Sequence, residues 1–292
     1  MEVFDRIRKA QPARLYISAD GARANRDGEK EKVLAVRNYI MDNIDWPCSI
    51  NTLFRESNLG CKESVYQAIS WFFEHEESGV ILEDDCLPDL SFFQFCRDLL
   101  EHYKDDLRVW QICGSNFDFG DRRDPDYSYH FSYYGAIWGW ATWRDRWKNY
   151  DVNIESYVEI KRKGYLKDLF GNSDEAQARA ERFDNIKNID TWDFQWAYTR
   201  FINSGLAVMP NRNLVENLGF GNEATHTHTT DDLRAHMKTY SMSFPLSHPP
   251  FIIRDKVTDD LYFFRFIHQR KNRFSRLLAR IQKALRMIYV KR

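Results

Sequence analysis

Three consecutive carboxylates end a short apolar run, and this junction constrains the fold more than any other feature of the chain. Val80–Leu82 leads directly into Glu83–Asp85, with Gly79 before the run and Pro88 after the acids. A bounded apolar run of this length predicts a strand buried on both faces of a parallel sheet. Open α/β sheets bind their ligands at the carboxyl ends of such strands. We therefore expect these acids at a ligand-binding edge.

The three acids also predict a cation. Crowded carboxylates repel one another unless a positive charge joins them, and a hard divalent ion with oxygen ligands is the usual solution. A metal ion held at a strand end is well placed to carry a diphosphate, so a nucleotide-sugar enzyme is the first hypothesis. The alternative is an acidic cluster that only solvates a turn, and this segment by itself is equally consistent with it.

Composition narrows the class of protein. The 292 residues carry a formal charge of −1, so the chain as a whole favours no nucleic-acid partner. Its five cysteines are odd in number and lack the spacing of a metal site, which is typical of reduced thiols in a cytosolic protein. No segment resembles a signal peptide or a membrane span. We expect a cytoplasmic protein.

The C-terminal residues differ from the rest in charge. Arg265 to Arg292 contains ten Lys or Arg and no Asp or Glu, and apolar residues recur there at helical spacing. This pattern predicts a basic amphipathic helix that contacts the anionic inner face of the cell membrane, at about 1 kcal/mol per cation. The alternative is a terminal helix that docks on the body of the chain or on a second subunit, which would form a homodimer.

Strands alternate with helices along the first two thirds of the chain, which predicts a parallel, doubly wound sheet. A sheet of this kind usually opens with a strand, whereas residues 4–10 are helix-like, so we expect that the first strand is missing. Either the fold uses a different edge or the sequence is truncated. The predicted strands cover 15–20, 48–56, 80–82, 109–117 and 206–210, and the predicted helices cover 29–44, 61–77, 92–103 and 191–204.

Six motifs in order resemble one known family. They are ADG (19–21), FRESNLG (54–60), ILEDDC (81–86), YYGAIWGWATW (133–143), TWDFQW (191–196) and ENLGFGNEATHT (216–227). Over about residues 4–255 the chain resembles bacterial GT-A glycosyltransferases related to the animal N-acetylglucosaminyltransferase that initiates complex N-glycans. The resemblance implies a GT-A fold, which is an α/β fold with a Rossmann-like, mostly parallel sheet. It divides the chain into a nucleotide-sugar-binding half (1–118), an acceptor-binding and catalytic half (119–255) and the basic tail (256–292).

The resemblance also implies a nucleotide site. Asp20 matches an acid that hydrogen-bonds the nucleotide base, and Arg55 matches a basic residue near the nucleotide. Glu83 and Asp84 match acids that face the sugar and the ribose. The residues by themselves leave simpler alternatives open, in which Asp20 is a turn residue before Gly21 and Arg55 is a solvated strand end.

The remaining matched residues concern the metal and the chemistry. Asp85 matches a direct ligand of Mn²⁺ or Mg²⁺, His226 lies where many GT-A enzymes place a second ligand, and Asp193 matches the catalytic base. His226 is otherwise an ordinary loop histidine. The spacing of Asp190 and Asp193 by itself favours a capping box at a helix start, where the helix dipole keeps Asp193 ionised.

The resemblance implies an inverting, metal-dependent hexosyl- or N-acetylhexosaminyltransferase that uses a UDP-sugar and a saccharide acceptor in bacterial surface polysaccharide synthesis. Transfer requires neutralisation of the leaving diphosphate and a carboxylate that takes the acceptor proton. Trp138 and Trp140 are candidates to stack on the acceptor or to fill the core. The alternatives are a catalytically impaired sugar- or nucleotide-binding homologue and a sugar-phosphate nucleotidyltransferase.

Overall fold

The computed structural model describes residues 1–117, 126–220, 234–235 and 237–268, and its fold is mixed α/β. His226 and most of the predicted basic tail lie outside the described residues. The strands of the described part are β1 (Arg14–Ala19), β2 (Ser49–Phe54), β3 (Ser78–Ile81), β4 (Cys86–Pro88), β5 (Val109–Cys113), β6 (Tyr129–Ser132), β7 (Trp140–Trp143), β8 (Leu206–Pro210) and β9 (Val215–Asn217).

The helices of the described part alternate with the early strands and then cluster between residues 144 and 202. They are α1 (Glu2–Ala10), α2 (Glu29–Asp42), α3 (Gly60–His75), α4 (Ser91–His102), α5 (Arg144–Trp147), α6 (Tyr157–Lys163), α7 (Tyr165–Phe170), α8 (Ser173–Asp184), α9 (Asp193–Ile202) and α10 (Lys256–Tyr262). A 3₁₀ turn covers Ile186–Asn188, and a π-helical turn covers Phe263–His268.

The described strands form three sheets. β1 and β2 pair in parallel, with Arg14 opposite Ser49 and Ala19 opposite Phe54. A central sheet has the order β3-β7-β5-β8-β6, and β4 pairs with β9 in the antiparallel sense.

The central sheet is mixed, which corrects the expectation of a mostly parallel sheet. Its β5–β8 pairing is parallel, whereas β3–β7, β5–β7 and β6–β8 are antiparallel. The physical reason is β7, which comes from the aromatic segment after the predicted early strands and inserts between β3 and β5. As a result β3 is half-buried and has an antiparallel neighbour, instead of being buried within a parallel sheet.

The strands of the central sheet supply much of the hydrophobic core. All residues of β5, β7 and β8 are buried, and four tryptophans at positions 140, 147, 192 and 196 pack together beside them. The rings of Trp140 and Trp192 stack with centroids 5.6 Å apart. Because each large apolar side chain that is fully buried contributes about 1.5–3 kcal/mol, this cluster fixes the start of α9 against the sheet.

The last described residues belong to the body of the molecule. The carboxylate of Asp259 in α10 accepts hydrogen bonds from the Ser132 hydroxyl, the Tyr133 N–H and the Arg254 guanidinium. Phe263 is fully buried in the π-helical turn that follows. The described chain contains no helix that is both long enough and apolar enough to cross a membrane.

Candidate active site

The carboxyl ends of β1, β2 and β3 meet around the first turn of α3. Asp20 follows β1, and its carboxylate accepts hydrogen bonds from the N–H groups of Leu59 and Gly60 at 3.0 and 3.2 Å. Asp190 reaches the same turn and accepts from Cys61 and Lys62 at 2.9 and 2.8 Å. The free N–H groups of a helix start carry partial positive charge, so two carboxylates are stabilised there.

Asp20 therefore shapes the edge of the site. Besides capping α3 it accepts from the Gly21 N–H at 2.9 Å. A side chain at Gly21 would overlap the backbone of Ser57, so only glycine permits this close approach. These contacts fit a turn-forming role, and the predicted contact of Asp20 with a nucleotide base stays a prediction.

Two arginines lie at the ends of β1 and β2. Arg37 of α2 donates to the carbonyls of Ala19, Asp20 and Arg55 and thereby links the two strand ends. Arg55 is half-buried, and its Nε is buried without a hydrogen-bond partner. A buried guanidinium nitrogen that lacks an acceptor is suited to an anionic ligand. The predicted role of Arg55 next to the nucleotide stays a prediction.

Glu83 is the most perturbed acid of the site. Burial, together with the charges of Asp85, Asp193 and Asp84, raises its pKa to about 8, and a hydrogen bond with Trp192 acts in the opposite direction. Its Oε1 is buried and has no hydrogen-bond partner. Asp84, in contrast, is exposed. The structure thus brings Glu83 and Asp85 into one electrostatic cluster with Asp193. Asp193 lies 108 residues after Asp85 in the chain, so no local sequence pattern predicts that they are close.

Asp85 is held by the β4–β9 pair. Its carbonyl accepts from the Leu218 N–H at 2.8 Å, and its carboxylate accepts from the Cys86 thiol at 3.3 Å. A Cβ at Gly219 would overlap the Asp85 carboxylate. Burial raises the pKa of Asp85, while the contacts with Cys86 and Asn217 lower it. The ENLGF segment therefore closes over the acid.

Asp193 begins α9 and is half-buried. Burial raises its pKa, against a hydrogen bond from the Thr191 hydroxyl and backbone N–H groups. Loss of hydration therefore outweighs the N–H groups in setting the direction of the pKa, and the ionisation of Asp193 stays a prediction. The alternative of a capping box with Asp190 is wrong, because Asp190 caps α3 and not α9.

The residues present fit a cation only in part. The crowded carboxylates and the unpaired Oε1 of Glu83 favour a bound cation. Of the predicted metal ligands, Asp85 is the one that lies within the described residues, and it would hold the ion. Within the described residues, however, no three His, Cys, Asp or Glu side chains are grouped to hold a metal ion. His226, the predicted second ligand, is outside the description.

The two candidate acceptor tryptophans separate clearly. Trp140 is fully buried in the tryptophan cluster, so it is a core residue. Trp138 is half-buried and packs edge-on against Phe117 and Phe220 at 5.1 and 5.4 Å. Only Trp138 retains surface for an acceptor sugar.

Sequence reasoning missed three residues that build the site, namely Arg37, Asp190 and Asn217. Each acts on an element distant in sequence, so no local pattern could have found it. No protein-family model matches the chain, and no curated protein matches it at a significant level.

Proposed function

We propose that the chain is a GT-A-type, metal-dependent inverting glycosyltransferase that moves a sugar from a nucleotide diphosphate, with UDP as the first candidate, to a saccharide hydroxyl. The observation that carries the proposal is the convergence of Glu83, Asp85 and Asp193 at one strand edge, where burial raises the pKa of each carboxyl. Perturbed carboxyls grouped at a strand end are typical of catalytic sites.

The roles follow from position. Asp193 takes the proton of the acceptor hydroxyl, since a carboxyl whose pKa is raised is a stronger base once ionised. Asp85 would hold Mn²⁺ or Mg²⁺, which would supply Lewis-acid neutralisation of the diphosphate. Arg55, with its unpaired Nε, is placed for an anionic group of the donor. Trp138 offers an aromatic face to the acceptor.

A binding-only homologue is the second candidate function, because β1 and β3 at this edge each pair with a single strand in the described part of the chain. A strand with only one hydrogen-bonded neighbour holds the acids at its carboxyl end less firmly. This homologue would bind nucleotide without turnover.

Thermal stabilisation by UDP with Mn²⁺ tests the proposal. The full chain should melt at a higher temperature with UDP and Mn²⁺ than with either one, and Asp85→Ala should abolish this synergy while keeping the basal melting temperature within a few degrees. Asp42→Ala, at an exposed carboxyl on α2, is the control. An Asp85→Ala variant that binds UDP–Mn²⁺ as tightly as the parent would remove Asp85 as ligand.

Turnover is then tested with UDP-, GDP- and dTDP-sugars in the presence of Mn²⁺ or Mg²⁺, and the nucleoside diphosphate released from each donor is measured. Stabilisation with turnover supports the transferase, and stabilisation without turnover supports the binding homologue. No stabilisation by any nucleoside diphosphate would contradict both.

A further inference from the structure

Two histidines from distant parts of the chain stack on each other. His102 ends α4, and its ring lies 4.3 Å from the ring of His248 between centroids, with 12° between the two planes. Both residues are exposed, so protons from the solvent reach them. Histidine changes its charge near neutral pH, and protonation of both rings would place two positive charges directly against each other. The geometry of this pair therefore makes it sensitive to pH.

His248 is the last residue of a segment that is held by a few hydrogen bonds. We name residues 241–248 the strap. The Met242 N–H donates to the hydroxyl of Ser91, the first residue of α4, at 2.8 Å. The Ser128 N–H, just before β6, donates to the Ser247 carbonyl at 2.8 Å, and the Ser247 N–H donates to the Ser128 hydroxyl at 2.9 Å. The strap thus joins the start of α4 to the start of β6.

A chain of buried hydroxyl groups holds His248. Its Nδ1 is 2.7 Å from the hydroxyl of Tyr129, which is 2.5 Å from the hydroxyl of Tyr103. Both tyrosines are buried. When His248 is neutral, Nδ1 accepts from Tyr129 and the Tyr129 oxygen accepts from Tyr103, so both hydroxyl protons are bonded. A protonated His248 donates from Nδ1 instead. This reverses the chain and leaves the Tyr103 proton without an acceptor in the described part of the molecule, which is unfavourable in a buried position.

The charges that face the pair favour its neutral form. The cavity beside it, about 450 Å³ in volume, is lined from α4 by Gln94, Asp98 and His102 and from the strap by residues 244–246 and His248. Asp98 is the one carboxylate among these lining residues, and it is already paired with Arg97 at 3.2 Å. Burial lowers the pKa of His248 and the charge of His102 lowers it further, whereas the charge of Asp98 raises it.

The strap begins directly after residues that hold the approach to β9. The Tyr240 N–H donates to the Asn213 carbonyl at 2.8 Å, and the Asn213 amide donates to the carbonyls of Met237 and Lys238 at 3.2 Å. β9 begins at Val215 and pairs with β4, next to the candidate site. The pair of histidines is thus linked along the chain to one end of that site.

We propose that His102 and His248 form a pH-sensitive switch, which holds the strap on α4 while both rings are neutral and releases it when both rings are protonated. Two stacked cations share a single carboxylate that already has a partner, and the hydroxyl chain behind His248 loses a hydrogen bond. The strap is held most strongly above the ordinary histidine pKa of about 6.5, and its attachment weakens as the pH falls from there towards the lower pKa of the attached state. The switch does not depend on glycosyl transfer.

Native-state hydrogen exchange tests the switch. Protection factors, which correct for the direct effect of pH on exchange, are measured on the full chain at about pH 7.5 and about pH 5. Those of the Ser128, Met242 and Ser247 amides should fall at least tenfold at the lower pH, while those in Leu206–Pro210 change less than twofold. Equal protection of the strap at both pH values would overturn the switch. An equal loss in Leu206–Pro210 would also overturn it, because acid would then act on the whole fold.

Two variants remove the charges separately. His248→Asn keeps an acceptor for the Tyr129 hydroxyl and takes up no proton, and His102→Gln removes the other charge of the pair. Both variants should keep the strap protected at about pH 5. If His248→Asn weakens the strap already at the higher pH, His102→Gln decides, because it leaves the bond to Tyr129 intact. His75→Gln, at an exposed histidine of α3, is the matched control and should release the strap as the parent does. Release in His102→Gln would contradict the switch.

Titration of the histidine rings by NMR gives a second readout. His102→Gln should raise the titration midpoint of His248, because a neighbouring cation lowers it, and Asp98→Asn should lower that midpoint. Unchanged midpoints in both variants would mean that these groups do not interact, which would overturn the switch. Neither readout involves a nucleotide or transfer activity, so the outcome is separate from that of the proposed function.

Discussion

Asp193 is a carboxylate held by the Thr191 hydroxyl and by backbone N–H groups, yet its burial raises its pKa. These two properties suit a proton acceptor, because the hydrogen bonds fix its direction while low hydration raises its basicity. Asn can still accept the hydrogen bond from Thr191. We expect Asp193→Asn to keep donor and metal affinity and to lower the transfer rate by roughly a hundredfold or more.

Two measurements on one preparation decide the role of Asp193. The parent rate should fall as pH drops through the raised pKa, since the protonated carboxyl cannot take a proton, and the variant should lose that limb of the profile. Asp174→Asn, at the first turn of α8, is the matched control for a helix-start aspartate. If Asp193 only caps α9, its variant loses about 1 kcal/mol of stability or less and keeps its turnover.

Gly219 tests the packing over Asp85. A methyl group at this position would overlap the Asp85 carboxylate, so Gly219→Ala should lower the free energy of unfolding by about 1–3 kcal/mol. In the Asp85→Ala background the same change should cost clearly less, because the overlapping atoms are gone. Chemical denaturation of the four variants gives the coupling energy. Equal losses in both backgrounds would mean that the two residues do not touch.

At the scale of elements, the start of α3 depends on an acid 129 residues away in the chain. Asp190 supplies the acceptor for the N–H groups of Cys61 and Lys62. Asp190→Ala should therefore lower the free energy of unfolding by about 1–2 kcal/mol, and Asp190→Asn by less, because the amide oxygen still accepts. Urea denaturation measures both. A loss no larger than that of Asp42→Ala would contradict the cap.

The same scale shows what the sequence could predict. β1, β2, β5 and β8 lie where short apolar runs predicted strands. Every residue of β5 and β8 is buried, as such runs indicate, whereas no residue of β1 or β2 is buried. β7 was missed because the aromatic segment around it has no alternation with polar residues, and every residue of the strand is buried. Its antiparallel position between β3 and β5 depends on tertiary pairing with these two strands, and a local sequence pattern carries no information on that pairing.

At the scale of the whole molecule, the candidate site gathers acids from three separate stretches of the chain at one sheet edge. Motif order predicted Asp20, Glu83, Asp85 and Asp193 as site residues, and the structure places them around α3 and the end of β3. Motif order could not predict the role of Asp190, because its spacing to Asp193 indicated a cap of α9, whereas Asp190 caps α3. The cap is a tertiary contact, and spacing along the chain carries no information on it.

The C-terminal tail gives the last prediction. The informative place to shorten the chain is after His268, because Phe263 is buried and Phe266 packs on Tyr262 with ring centroids 5.0 Å apart. A chain that ends at His268 keeps only Arg265 of the ten cations between Arg265 and Arg292. At about 1 kcal/mol per cation near an anionic surface, we expect it to lose binding to phosphatidylserine vesicles that the full chain retains.

The competing role of the tail, docking on the body or on a second subunit, makes different demands. Membrane contact predicts that the shortened chain has the same melting temperature and the same oligomeric state as the full chain. It also predicts that vesicle binding by the full chain weakens as the salt concentration rises. Docking predicts a lower melting temperature or a change from dimer to monomer. Replacing Arg273, Arg276, Arg280 and Arg286 with Gln keeps the apolar stripe and removes four charges. This variant should bind vesicles far more weakly than the parent if charge drives attachment, and equal vesicle binding by all chains would exclude the tail as a membrane contact.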